Sequence, residues 1–151
     1  MVNKYWNNFI DEFDVGVRGV GSSLEEAFEE AAVALTAIMT DPEKVELKEE
    51  VAITCEAPDL KLLLVEWLNA LIRQTATRKM LFSRFDVELD GLRLRATARG
   101  EVMDAQKHEL GMEPKKATTN DLMVGEGKDG EWIAQCAVDL CEPLVLAART
   151  N

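Results

Sequence analysis

The sequence predicts an α+β fold: a single-domain layered sandwich in which two amphipathic helices pack with mostly antiparallel β-strands, spanning residues 1–151. Three observations predict it. Two stretches carry apolar residues at three- and four-residue steps, the mark of a helix with one buried face. Several others alternate apolar and polar residues, the mark of a strand with one buried face. No Pro/Gly/Ser-rich linker, low-complexity segment or repeat divides the chain, and at 47% hydrophobic its 151 residues suffice for one core.

The elements follow in order. Lys4 to Ile10, with Tyr5, Trp6 and Phe9, reads as a first strand, and Val15 to Val20 as a second. Gly21-Ser22-Ser23 stops it, and Ser23-Leu24-Glu25-Glu26 is a capping box that opens a helix. Its stripe is Leu24, Phe28, Ala31, Leu35 and Ile38, and it ends near Asp41-Pro42, where proline disfavours a helical residue before it. Val51, Ile53 and Cys55 alternate with Ala52, Thr54 and Glu56 in a third strand. Pro58-Asp59 opens the second helix, whose wide stripe of Leu60, Leu63, Leu64, Trp67, Leu68, Leu71 and Ile72 places it at the centre of the core.

After Thr75 to Lys79, Met80 to Leu89 and Leu92 to Gly100 read as a hairpin around Asp90-Gly91, a type I′ signal. Glu101 to Met112 reads as a polar connection, Thr118 to Val124 as a strand, and Gly125 to Gly130 as a turn. Trp132, Ala134, Cys136 and Val138 alternate with Ile133, Gln135, Ala137 and Asp139 in a last strand.

Composition narrows the function classes. Lys and Arg total 17 against 28 Asp and Glu, a net charge of −11. Affinity for a nucleic-acid backbone comes from cations that displace counterions, so direct nucleic-acid binding is not expected. The acidity by itself is accounted for by solubility. Cys55, Cys136 and Cys141 are too few and too scattered for a disulfide framework or a zinc site. Cys55 and Cys136 read as buried thiols of a reducing compartment. No apolar run approaches about 18 residues and no signal-peptide pattern is present, so a cytoplasmic, non-membrane protein is expected.

The chemistry-bearing segment is Ile10-Asp11-Glu12-Phe13-Asp14-Val15-Gly16-Val17, which holds three carboxylates within four residues. Carboxylates that close repel one another unless water, a cation or a basic partner compensates them. The segment is therefore either a solvated turn or a site for a hard cation. Asp139 in the last strand is a solvent-side residue if it only shares a face with Gln135 and Ala137, and a long-range ligand if it is held near the first loop. The lone His108, in the polar connection, reads as a surface residue. Arg78-Lys79 and Lys115-Lys116 read as solvated basic pairs. No nucleophile elbow or phosphate-cradling glycine loop is present.

These segments, in order, resemble the archease family over roughly residues 4 to 140. The residues that carry the resemblance begin with Asp14-Val15-Gly16-Val17-Arg18-Gly19, then Ser23 to Phe28, and Met39-Thr40-Asp41-Pro42. They continue with Leu63-Leu64-Val65-Glu66-Trp67-Leu68-Asn69, Leu81 to Phe85, Asp90-Gly91 and Gly100-Glu101, and close with His108-Glu109, Lys115 and Val138-Asp139. The resemblance implies a non-catalytic accessory protein that assists an RtcB-type RNA ligase in tRNA splicing and RNA repair. It would promote guanylylation of the ligase and allow multiple turnover. It also implies a divalent-cation site, with Asp14 and Asp139 at the matching positions and Lys115 as a contact to the partner or to a nucleotide phosphate.

The chain departs from the family pattern at Asp11, which replaces a histidine, and at Phe13, which replaces an alanine. It departs again at Lys116, in place of a small residue, and at Thr119, in place of a tyrosine. Asp11 joins Asp14 and Asp139 as an expected ligand and suits calcium better than a histidine would, and the expected cation is Ca²⁺ rather than Mg²⁺. Two other readings stand beside this one. One is a chaperone-like or protein-binding module on the same scaffold, for example acting on a tRNA methyltransferase. The other is a metal-dependent hydrolase, which the lack of a general base beside the carboxylates disfavours.

Overall fold

The computed structural model describes residues 3–10 and 14–144. Its elements are β1 (Tyr5–Ile10), β2 (Asp14–Gly21), α1 (Leu24–Met39), β3 (Glu49–Glu56) and α2 (Leu60–Arg78), then β4 (Met80–Asp90), β5 (Arg93–Val102), β6 (Met112–Ala117), β7 (Met123–Glu126) and β8 (Trp132–Pro143). The strands form two sheets. A five-stranded sheet runs β1-β2-β8-β6, with β7 also pairing β8, and a three-stranded sheet runs β3-β5-β4. Every pairing is antiparallel. Both helices touch strands of both sheets, which makes the molecule an α+β sandwich of the expected class.

Local chemistry sets each helix. Ser23 Oγ accepts the Glu26 N–H at 3.1 Å, and the Glu26 carboxylate reaches back to Ser22, one residue beyond the expected box, accepting its N–H at 2.8 Å and its hydroxyl at 2.7 Å. Ala27, Phe28, Ala31, Leu35 and Met39 are buried along α1. Asp59 caps α2 through the Leu62 N–H at 2.8 Å. This helix runs on to Arg78, past the apolar stripe, and stops where Lys79 turns left-handed at φ 57°. Trp67 is 0% exposed, donates Nε1–H to the Phe28 carbonyl at 3.0 Å, and meets the Phe85 ring edge-on at 6.0 Å. It thereby ties α2, α1 and the smaller sheet together. The five-stranded sheet comes close to α1 because Gly19 has no side chain: a Cβ there would collide with the Ala27 and Ala31 backbone.

Two expectations are corrected in the second half. Of Thr118 to Val124 only Met123 and Val124 are in a strand; the pairing segments are Met112–Ala117 and Met123–Glu126. The sequence Met112-Glu113-Pro114-Lys115-Lys116-Ala117 has poor strand character, and long-range pairing with β8 overrides it. Its proline is accommodated because β6 is an edge strand. Between the two, Thr118 and Asn120 each hydrogen-bond the Ala137 backbone at 2.9 Å, which keeps β8 satisfied across the gap. In the β4–β5 hairpin, Asp90 pairs with Arg93, so the two-residue loop is Gly91-Leu92. Gly91 alone has positive φ, at 60°, which corresponds to a II′ rather than a I′ turn.

Trp67→Ala is expected to cost about 3–5 kcal/mol of stability, read from the denaturant midpoint at constant m, because it opens a cavity and removes the indole hydrogen bond to the Phe28 carbonyl. A loss below about 1 kcal/mol would mean that Trp67 does not anchor the core.

Candidate functional site

Strand register brings the distant carboxylate to the first loop. On β2 and β8, Asp14 is the partner of Asp139, and on the other edge of β8, Asp139 is the partner of Lys116. Directly opposed residues of neighbouring strands share a sheet face. Asp14, Asp139 and Lys116 therefore form one row across three strands. It lies on the face opposite the main core, to which the alternating neighbours Val17, Val138 and Ala117 belong, and Asp14 and Asp139 are half-buried there. Asp139 shares a face with Gln135 and Ala137, which are buried, and sits opposite Asp14 at the start of β2.

Lys115 reaches the same surface by a different device. Pro114 opposes Leu140 and Lys116 opposes Asp139, so Lys115 is an extra residue, a β-bulge. Alternation breaks there: Pro114 and Ala117 are buried while Lys115 and Lys116 are both exposed. The bulged strand is held by α2. Asn69 accepts the Ala117 N–H at 2.8 Å and donates to the Ala117 carbonyl at 3.4 Å, pairing the edge of β6 as another strand would. The outward face further along is also tied. Arg18 donates Nε–H to Gln135 Oε1 at 2.7 Å, with its guanidinium 5.8 Å from the centre of the Phe9 ring, and Gln135 donates to the Asp121 carbonyl at 3.1 Å.

A hard cation takes six to eight oxygens at about 2.3–2.6 Å for Ca²⁺, with waters completing a flexible shell. Asp14 and Asp139 are the two expected donors that the structure describes, opposed across β2 and β8. Asp11, the third expected ligand, and Phe13 lie outside the described residues. Among the described residues, no group of three or more His, Cys, Asp or Glu side chains could hold a metal ion.

His108 is not a surface residue. It is 1% exposed and both ring nitrogens are engaged. The Asp104 N–H donates to Nδ1 at 3.0 Å, which leaves the proton on Nε2, 3.0 Å from Glu101 Oε2. Glu101 is itself 4% exposed and also accepts the Glu46 N–H at 2.8 Å and the Lys107 ammonium. Burial alone would raise this carboxyl. Hydrogen bonds from the Glu46 backbone, Lys107 and His108 outweigh burial and hold it at about 2, below its ordinary 4.5. With both nitrogens occupied, the imidazole has no lone pair left for general-base work. Its place is structural: it pins the connection that leads from β5 to β6 and so to the lysines. Of the thiols, Cys136 is buried, Cys55 is half-buried rather than buried, and Cys141 is exposed. Burial pushes Cys136 up to about 12 and the half-buried Cys55 up to about 11.

Sequence reasoning missed Asn69 and the Glu101–His108 pair as positioning residues. The available signals were an amide flanking the α2 stripe and a histidine following a Gly-Glu strand end.

Fold and register together define a class: an α+β two-sheet sandwich that carries a row of carboxylates flanked by exposed lysines across the larger sheet. The archease protein family (MTH1598/TM1083) matches residues 6–140. A protein archease of Pyrococcus abyssi is 37% identical over 141 residues, covering 91% of this chain and 99% of that one, and one of Thermococcus gammatolerans is 39% identical with the same coverage. The solution structure of Methanobacterium thermoautotrophicum protein 1598 superposes with a TM-score of 0.78 at 35% identity, covering 89% of this chain and 98% of that one. The crystal structure of a Thermotoga maritima archease, described as a possible chaperone, shares the fold at a TM-score of 0.60 and 21% identity, covering 87% and 94%. The chain belongs to the archease family. Among the described residues no helix is long and apolar enough to cross a membrane.

The depressed Glu101 pKa has a defined pH consequence. A carboxyl held lower in the folded than in the unfolded state contributes stability that is complete above its unfolded value and lost as pH falls through the folded one. The stability difference between wild type and Glu101→Gln should therefore be constant near neutrality and shrink as pH drops from 4.5 towards about 2, measured as denaturant midpoints. A gap that widens on acidification would mean that Glu101 is not held as a carboxylate.

Proposed function

We propose that this protein is a non-catalytic, divalent-cation-binding activator of an RtcB-type RNA ligase, promoting ligase guanylylation and multiple turnover in tRNA splicing and RNA repair. The observation that carries the proposal is the cross-strand row of Asp14, Asp139 and Lys116, with Lys115 on the adjoining bulge. Asp14 and Asp139, with Asp11, are the proposed ligands, and Ca²⁺ suits them better than Mg²⁺, which demands a near-ideal octahedron. A bound cation would supply positive charge to draw in and orient phosphate oxygens. Lys115 adds a compact point charge for the same group. The net charge of −11 favours work through a protein partner over a direct grip on RNA. The occupied imidazole of His108 gives no support to a hydrolase.

A chaperone-like binding module is the second reading. It draws on the exposed aromatics Tyr5 and Trp6 of edge strand β1, 45% and 36% exposed, and on the description of the Thermotoga maritima protein as a possible chaperone.

Ligation by an RtcB-type ligase, run with enzyme limiting, should change from a single round to repeated turnover when this protein and Ca²⁺ are added. Lys115→Ala should remove the stimulation without shifting the unfolding midpoint. Asp14→Asn or Asp139→Asn should weaken cation binding about tenfold or more, as expected when a charged ligand is lost. No stimulation by the folded wild type, together with suppressed aggregation of unrelated clients, would favour the second reading instead.

A further inference from the structure

β4 is an edge strand that pairs with β5 alone. In an antiparallel ladder every second residue turns both its N–H and its C=O away from the partner. The Val87 N–H points to that free edge, where Glu29 of α1 accepts it at 2.8 Å, so Phe85 and Leu89 present their backbone groups there as well. Among the described residues no hydrogen bond reaches those groups of Phe85 and Leu89. Further along, Thr36 of α1 donates its hydroxyl to the Phe82 carbonyl at 2.6 Å. The short threonine spans the gap there and the longer glutamate spans it at Val87, so the gap between helix and edge widens towards the N-terminus of α1. Two cavities flank the Glu29–Val87 contact. One of about 410 Å³ lies at Phe85, beside Glu29 and Glu30, and one of about 620 Å³ lies at Leu89, beside Glu25.

Carboxylates dominate both walls. Glu25, Glu29 and Glu30 line the helix side and join none of the ion pairs among the described residues. Asp86, Glu88 and Asp90 line the strand side, with Asp86 and Glu88 shared with Arg99 and Arg95 of β5. Glu29 and Glu30 are half-buried, and burial pushes both carboxyls above their ordinary value, with Lys4 offsetting part of the effect. A cation brought into the groove would relieve that penalty.

We propose that the free edge of β4 is a docking groove for an extended, lysine- or arginine-rich segment of a protein partner, which lays its backbone along Phe85 to Leu89 and displaces the Glu29 carboxylate from Val87. Main-chain hydrogen bonds to the edge supply the affinity, as in other strand additions. Side chains of an added strand alternate between two faces. Basic residues on one face then meet Glu25, Glu29 and Glu30, and on the other Asp86, Glu88 and Asp90. A second copy of this chain is a poor occupant, because two chains of net charge −11 repel one another. A protein that holds RNA carries cationic surface and is a good one. The groove belongs to the smaller sheet and the Asp14–Asp139 row to the larger, so the inference stands independently of the cation-binding reading.

The probe is a capped hexapeptide of alternating lysine and valine, titrated into the isotopically labelled full chain and followed by backbone amide resonances. Two peptides serve as comparisons: a copy N-methylated at every residue, which keeps the charge and removes every backbone donor, and an alternating glutamate–valine peptide. The lysine peptide should shift the Phe85, Val87 and Leu89 amides and bind at least about tenfold more tightly than its N-methylated copy. Glu25→Gln combined with Glu30→Gln should keep the folded amide spectrum and weaken binding about three- to tenfold at low salt, a loss that shrinks at high salt. Equal binding by the N-methylated copy overturns the inference, since charge alone would then be responsible. Equal binding by the glutamate peptide overturns the choice of a basic partner. No binding of the lysine peptide to folded wild type, or shifts confined to residues away from β4, overturns it as well.

Discussion

The register of β8 is the constraint on which the rest depends. This strand pairs with β2 along one edge and with β6 and β7 along the other. Its Ala134, Cys136 and Val138 face the core at 0% exposure. A slip of one residue would take those side chains out of the main core and turn the polar Gln135 and Asp139 towards it, so burial of the apolar set locks the register. The same lock brings Asp139 beside Asp14, far away in sequence, and gives Lys116 its place. The candidate site is thus a by-product of core burial: the outward half of a strand whose inward half cannot move.

Polar contacts carry that order to the edges. Asn69 supplies the missing partner for the free edge of β6, and the Glu101–His108 pair holds the connection that delivers it. Buried polar groups of this kind are costly unless every donor and acceptor is matched, and here the acceptors of Glu101 are filled from the Glu46 backbone, Lys107 and His108. Much of the remaining basic charge is spent on cross-strand pairs. Arg93, Arg95 and Arg99 on β5 face Glu56, Glu88, and Glu50 with Asp86 on the strands either side. Exposed pairs like these add little stability.

Legibility in the sequence followed the range of the interactions. Both helices and their caps were readable, because Ser23, Asp59 and the Phe28 and Trp67 stripes act within one or two helical turns. Strands with a clean alternation, such as Val51 to Cys55 and Trp132 to Val138, were readable for the same reason. The strand at Met112–Ala117 was not: its proline, charges and bulge break the period of two, and only pairing with β8 makes it a strand. His108 was misjudged because a histidine in a polar connection reads as solvated until Glu101 and the Asp104 backbone are seen to enclose it. The hairpin loop moved by one residue because cross-strand pairing of Asp90 with Arg93 overrode the local Asp-Gly preference.

The sequence by itself determined the α+β class, the two helices with their caps, the long-hairpin segments, the acidic balance and the identity of Asp14, Asp139 and Lys115 as residues of interest. These depend on local periodicity, on composition and on ordered motifs, all of which are written along the chain. Only the tertiary structure decided that Asp14 and Asp139 are partners, that Lys116 completes their row, that Lys115 sits on a bulge, and that Asn69 and His108 are structural clamps. Each of those is a relation between strands or helices distant in sequence. Such relations arise only when packing of the apolar faces selects one register from several that local preference leaves open.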